Sequence, residues 1–135
     1  MRLRRYDGGP LTGYDAVPGW PHDDTLDALQ FPDSWTWLIL DDAYRVAGEC
    51  GTKGPPDAAG RVEIGYGLAP RSRGRGLGTL AVAALLDELA ATGVVREVLA
   101  CVHPSNGPSR RLLERQGFQV IAADDDEITY LRALP

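Results

Sequence analysis

The stretch that most limits what this chain can become runs Leu68-Ala69-Pro70-Arg71-Ser72-Arg73-Gly74-Arg75-Gly76-Leu77-Gly78-Thr79, where a strand pattern gives way to a helix pattern. Val62–Ala69 reads as a strand interrupted by Gly65 and Gly67, which predicts a bulge or close backbone approach by another group. From Leu77 onward, Leu80, Ala81, Ala84, Leu85 and Leu89 recur at helical spacing, predicting a helix to about Thr92 that ends at Gly93. Glycines at 74, 76 and 78 leave the main chain bare between the two. The helix directs its free N–H groups and positive dipole end back at this loop, a geometry suited to phosphate. Arg71, Arg73 and Arg75 add charge that matches phosphate oxygens. A Walker A loop is excluded because no lysine completes it. A dinucleotide fingerprint is incomplete, since Thr79 stands where its third glycine belongs. A surface loop that binds nothing is the plain alternative.

The remaining elements frame this junction. A first strand is expected at Arg2–Tyr6, then loop, then a short helix over His22–Gln30 capped by Asp23 or Asp24 and stopped by Pro32. Trp35–Leu40 and Arg45–Thr52 read as a hairpin about Asp41-Asp42-Ala43. Val94–Val102 is apolar enough to predict a strand buried on both faces. Gly107–Gln116 reads as a helix ended by Gly117, and Phe118–Ala122 with Ile128–Leu134 as a last hairpin. The order predicts an α/β protein of the α+β type, with a mixed central sheet of about six or seven strands and helices on its faces. With 135 residues and no internal repeat, one domain over 1–135 is expected, residues 1–34 forming a short lobe on its substrate side.

Charge and cysteine usage narrow the function classes. A net charge of -5 argues against a general nucleic-acid binder. Asp23, Asp24, Asp27 and Asp33 could draw a cationic amine, or form a solvated helix face. Cys50 and Cys101 sit in apolar stretches without a C-x-x-C pattern, so they read as small buried hydrophobes rather than a redox or zinc site. No apolar run reaches the length of a membrane span or follows the basic N-terminus as a signal peptide would, so a cytoplasmic protein is expected.

Arg73-Gly74-Arg75-Gly76-Leu77-Gly78 resembles the acetyl-CoA pyrophosphate loop of the GNAT superfamily, [QR]-x-x-G-x-[GA]. A second register beginning at Arg71 also fits, but the first places its last glycine at the helix start. The stretch from Val98 through Asn106 and Ser109 to Gly117-Phe118 resembles the next part of that family: strand, Asn, helix, Gly-Phe. Its Asn-x-x-Ser spacing, with Glu63-Ile64-Gly65-Tyr66, is similar to the branch containing the ribosomal-protein N-terminal acetyltransferases. The resemblance covers roughly residues 35 to 133.

The resemblance implies a fold in which the strands at Val62–Ala69 and Val95–Val102 splay apart to admit the pantetheine arm. It implies acetyl-CoA as co-substrate, no metal, and an N-acetyltransferase acting on a primary amine of a small molecule or a protein N-terminus by direct attack. Leu68, Ala69, Arg73, Gly74, Arg75, Gly76, Leu77, Gly78, Thr79, Asn106 and Ser109 are the implied cofactor contacts. A backbone N–H near Gly65–Gly67 would hold the thioester oxygen. Glu63 is the candidate base, on one strand face with Gly65 and Gly67; a solvated or arginine-paired charge is the alternative. His103 and His22 are rivals. Many relatives carry a tyrosine acid where this chain has Leu113, and others a glutamate where it has Cys101. Ser109 could hydrogen-bond the sulfur instead, or cap its helix. The arginines of 110–115 read as a solvated helix face. A non-catalytic CoA-binding module of the same fold is the alternative function, and a different phosphate or nucleotide binder a third. Monomer and homodimer are both open.

Overall fold

The structure, a computed structural model, describes residues 1–23, 25, 29 and 31–135. Seven strands form: β1 (Arg2–Arg5), β2 (Thr36–Leu40), β3 (Val46–Thr52), β4 (Arg61–Leu68), β5 (Glu97–Val102), β6 (Gln119–Ala123) and β7 (Ile128–Ala133). Two α-helices complete the frame, α1 (Leu77–Ala91) and α2 (Gly107–Arg115). The helix expected over His22–Gln30 involves Asp24, Leu26, Asp27, Ala28 and Gln30, which lie outside the described residues. No helix among the described residues is long and apolar enough to cross a membrane.

The strands make one sheet in the order β1-β2-β3-β4-β5-β7-β6. Only β4 and β5 run parallel; every other neighbouring pair is antiparallel. A parallel pair needs a crossover, and the apolar stripe of α1 supplies it.

Strand alternation sorts the core into two layers. Trp37, Ile39, Val62, Ile64, Val98 and Tyr130 cluster on one face with the buried side of α1 and with Leu113 of α2. Leu38, Leu40 and Ala47 point the other way and pack against Val17 and Trp20 from the segment before β2. The sheet flanked by helices is as expected from the sequence. α1 and α2 lie side by side on one face, and a Cβ on Gly78 of α1 would come within 3.3 Å of Leu112 of α2. The opposite face of β2 and β3 is covered instead by irregular chain.

One expectation changes. β5 begins at Glu97, because Gly93 turns the chain with φ 74° and the Arg96 N–H donates to Gly60. Its burial alternates: Val98 and Ala100 are buried, Leu99 and Cys101 only half so. The apolar run reads as doubly buried in one dimension, but only its helical face is covered.

Leu113 is fully buried between α2 and the sheet. Leu113→Ala should lower the unfolding free energy by about 2–5 kcal/mol through lost burial and a residual cavity. Urea denaturation checks this as a lower midpoint at unchanged slope.

Candidate active site

Sheet pairing fails at one place. β4 and β5 pair from Arg61↔Glu97 to Ile64↔Ala100, yet β4 continues to Leu68 and β5 to Val102. On the other side of β4, the Lys53 N–H donates to the Glu63 carbonyl and the Ala69 N–H to the Ala47 carbonyl. Antiparallel alternation then turns the odd-numbered amides of β4 toward β3. The amides of Tyr66 and Leu68 face β5 across the gap, where no strand meets them. Unpaired main-chain groups of this kind call for another hydrogen-bonding partner.

The glycine–arginine loop closes one end of the gap. Gly76 is the residue before α1 and takes φ 79°, a left-handed conformation that glycine adopts without cost. No side chain caps α1 there, so its first N–H groups are free. The Arg73 guanidinium is steadied by donating through Nε to the Leu68 carbonyl at 3.2 Å. Arg73, Gly74, Gly76, Gly78 and Thr79 line a cleft of about 1250 Å³.

The helical face of the same cleft carries Tyr66, Asn106, Ser109 and Leu112. Asn106 caps α2, its Oδ1 accepting from the Ser109 N–H at 3.2 Å. The capping role weighed for Ser109 thus falls to Asn106. Burial pushes the Tyr66 phenol up, Ser109 opposes this by hydrogen bonding, and Tyr130 adds to the rise. The Tyr66–Ser109 approach falls short of a well-formed bond, leaving the Tyr66 hydroxyl a buried polar atom without a partner among the described residues. Arg111 and Arg115 also line the cleft, where the sequence pattern reads only a solvated helix face.

Through the gap, the cleft reaches the opposite sheet face. There it is lined by Glu49 of β3, His22, Phe31 and Lys53. Glu49 is 2% exposed, and its Oε1 accepts from Trp20 Nε1 at 3.1 Å and from Thr25 Oγ1 at 2.5 Å. Nothing in the sequence singles out Glu49. A carboxylate in the run VAGECGT has no motif around it, and its partners Trp20 and Thr25 come from a segment more than twenty residues away in the chain.

The other candidates are placed as follows. Glu63 shares the face of Gly65 and Gly67, but Lys53 Nζ holds its carboxylate at 3.0 Å, and it stands beside the cleft lining. Ala69 is fully buried with its N–H bonded to Ala47 and its carbonyl to Ser72. Leu77 packs into both core clusters, and Arg75 projects outside the lining. His103 is exposed and engages Ser105 Oγ at 2.7 Å, away from the cleft.

Residues 4–119 match the acetyltransferase (GNAT) domain family. An uncharacterised N-acetyltransferase, YjdG, of Bacillus subtilis (strain 168) is 28% identical, covering 78% of this chain and 70% of that protein. The crystal structure of a ribosomal-protein-S5-alanine acetyltransferase from Vibrio fischeri is similar with a TM-score of 0.65 and 17% identity, over 75% of this chain. This chain spans 62% of that one. The microcin C7 self-immunity acetyltransferase MccE, solved in complex with acetyl-CoA and AMP, superposes with a TM-score of 0.66 at 21% identity, over 82% of this chain and 67% of that one.

Burial pushes the thiols of both Cys50 and Cys101 up, which disfavours the reactive thiolate. At neutral pH, iodoacetamide should label Cys101 slowly and buried Cys50 not at all, with both labelled after unfolding; intact-mass spectrometry over time reads this directly.

Proposed function

This chain belongs to the GNAT acetyltransferase family, and we propose that it transfers the acetyl group of acetyl-CoA to a primary amine by direct attack. The observation that carries this reading is the gap between β4 and β5, opening onto the bare N-terminus of α1. The free amides of Tyr66 and Leu68 suit an amide-bearing pantetheine arm. The amides of the loop from Gly74 to Gly78, with Arg73, suit a pyrophosphate. Arg111 and Arg115 bring further positive charge to the same end. The family relationship and the MccE complex support acetyl-CoA as the bound thioester.

Acetyl-CoA supplies the activated acetyl group. The protein's part is to position and to stabilise charge. The Tyr66 N–H is the best placed main-chain donor for the thioester oxygen, and such a donor is typically worth ~3 kcal/mol. Ser109, on the helical side, is the hydroxyl available to the sulfur. Glu63 remains a candidate base, provided Lys53 releases it. A small-molecule amine and a protein N-terminus both fit a cleft open on the sheet's second face.

Calorimetric titration of acetyl-CoA tests the reading. The native protein should bind it. Arg73→Ala should weaken binding roughly tenfold, about 1.4 kcal/mol, and Gly76→Glu should abolish it, circular dichroism confirming that the variant folds. Absence of binding to the native protein would sink the acetyl-CoA reading.

A further inference from the structure

We propose that Glu49 forms the amine-recognition end of the cleft, its Oε2 receiving the ammonium group of a cationic primary amine over Gly67, with His22 packed beside it. This rests on the acetyl-transfer reading above, and it names the group that selects the acceptor.

A buried carboxylate is costly unless it is partnered. Glu49 is partnered on one side only. Two neutral donors, Trp20 Nε1 and Thr25 Oγ1, hold Oε1. They fix the carboxylate in place and leave its charge uncompensated. Oε2 accepts no hydrogen bond among the described residues. The charged or chargeable group nearest to it is His22, whose Nε2 stands 3.5 Å away without hydrogen-bonding to it. His22 Nε2 is itself a buried polar atom with no hydrogen-bond partner among the described residues. Lys53, the lysine lining this cleft, is engaged by Glu63. One oxygen of a carboxylate that borders the cleft is therefore left without a hydrogen-bond donor among the described residues.

Position decides what that donor is. A Cβ on Gly67 would lie 2.6 Å from Glu49 Oε2 and 3.2 Å from His22 Cε1. The missing side chain at 67 is thus what exposes Oε2 beside the unpaired backbone of β4. An ammonium can donate to Oε2 and match the carboxylate charge while facing the gap. A neutral alcohol would leave the carboxylate charge unmatched. Phe31, 40% exposed, offers an apolar surface at the same end for a carbon chain. The two ends of the cleft carry opposite charge, Arg73, Arg111 and Arg115 at one and Glu49 at the other. That polarity orients an anionic cofactor and a cationic acceptor toward each other.

The chain has two histidines, His22 and His103, so selective labelling gives two resolved imidazoles. Protein with isotopically labelled histidine is titrated with n-butylammonium and, separately, with butan-1-ol, while NMR follows the ring signals. The His22 signals should move saturably with n-butylammonium and not with butanol, and those of His103 should stay still. In Glu49→Gln the ammonium response should weaken at least tenfold, with acetyl-CoA binding retained in calorimetry. An immobile His22, an equal response to butanol, or a full response in Glu49→Gln would each overturn the proposal and leave Glu49 as a tether for the N-terminal segment. If Glu49→Gln does not fold, the ammonium and alcohol arms on the native protein decide alone. Failure of acetyl-CoA to bind at all would instead remove the acetyl-transfer reading, which the histidine titration does not measure.

Discussion

The structure depends on a hydrogen-bond ladder that stops early. β4 and β5 begin as an ordinary parallel pair and part after Ile64 and Ala100. Main-chain groups left without partners are normally costly when removed from water. Here they line an open cleft, where water or a bound ligand can meet them. The loop at its mouth is bare backbone, α1 directs free N–H groups at it, and Arg73 is tied to the Leu68 carbonyl at its rim.

The gap also joins the two faces of the sheet. On the helical face, Tyr66 and Ser109 sit beside the crevice; on the other, Gly67 lets Glu49 and His22 approach it. A cofactor and an acceptor can thus meet through the sheet rather than along one side of it. The covering of the second face by Val17, Trp20 and their neighbours gives the irregular N-terminal segment a structural purpose. Trp20 reaches from that cover to Glu49, linking the packing of the segment to the polarity of the cleft.

Particular residues show how legible this was. The glycine spacing at 74, 76 and 78 points to bare backbone before a helix, and the structure has Gly74, Gly76 and Gly78 lining the cleft at the uncapped start of α1. The period changes announced the strand–helix–strand crossover. Glu63 stands out in the sequence through the Glu-x-Gly-Tyr pattern it shares with the family branch, and strand parity sets it on one face with Gly65 and Gly67; its engagement by Lys53, across the β3–β4 turn, is a contact that no periodicity encodes. Arg111 and Arg115 are exposed, as the helix pattern predicts, but helix pattern alone does not say that this polar face borders the cleft.

What the sequence by itself determined was local: which segments pair or coil, where the chain turns, and which loop leaves bare backbone before a helix. These follow from side-chain period and glycine conformational freedom, both readable within a few residues. What only the tertiary structure decided was which polar groups share the cleft. Trp20, His22 and Thr25 are close in the chain but far from Glu49, and they meet it because the segment before β2 folds back over β3. Burial and convergence are properties of packing between distant segments, and no motif carries them.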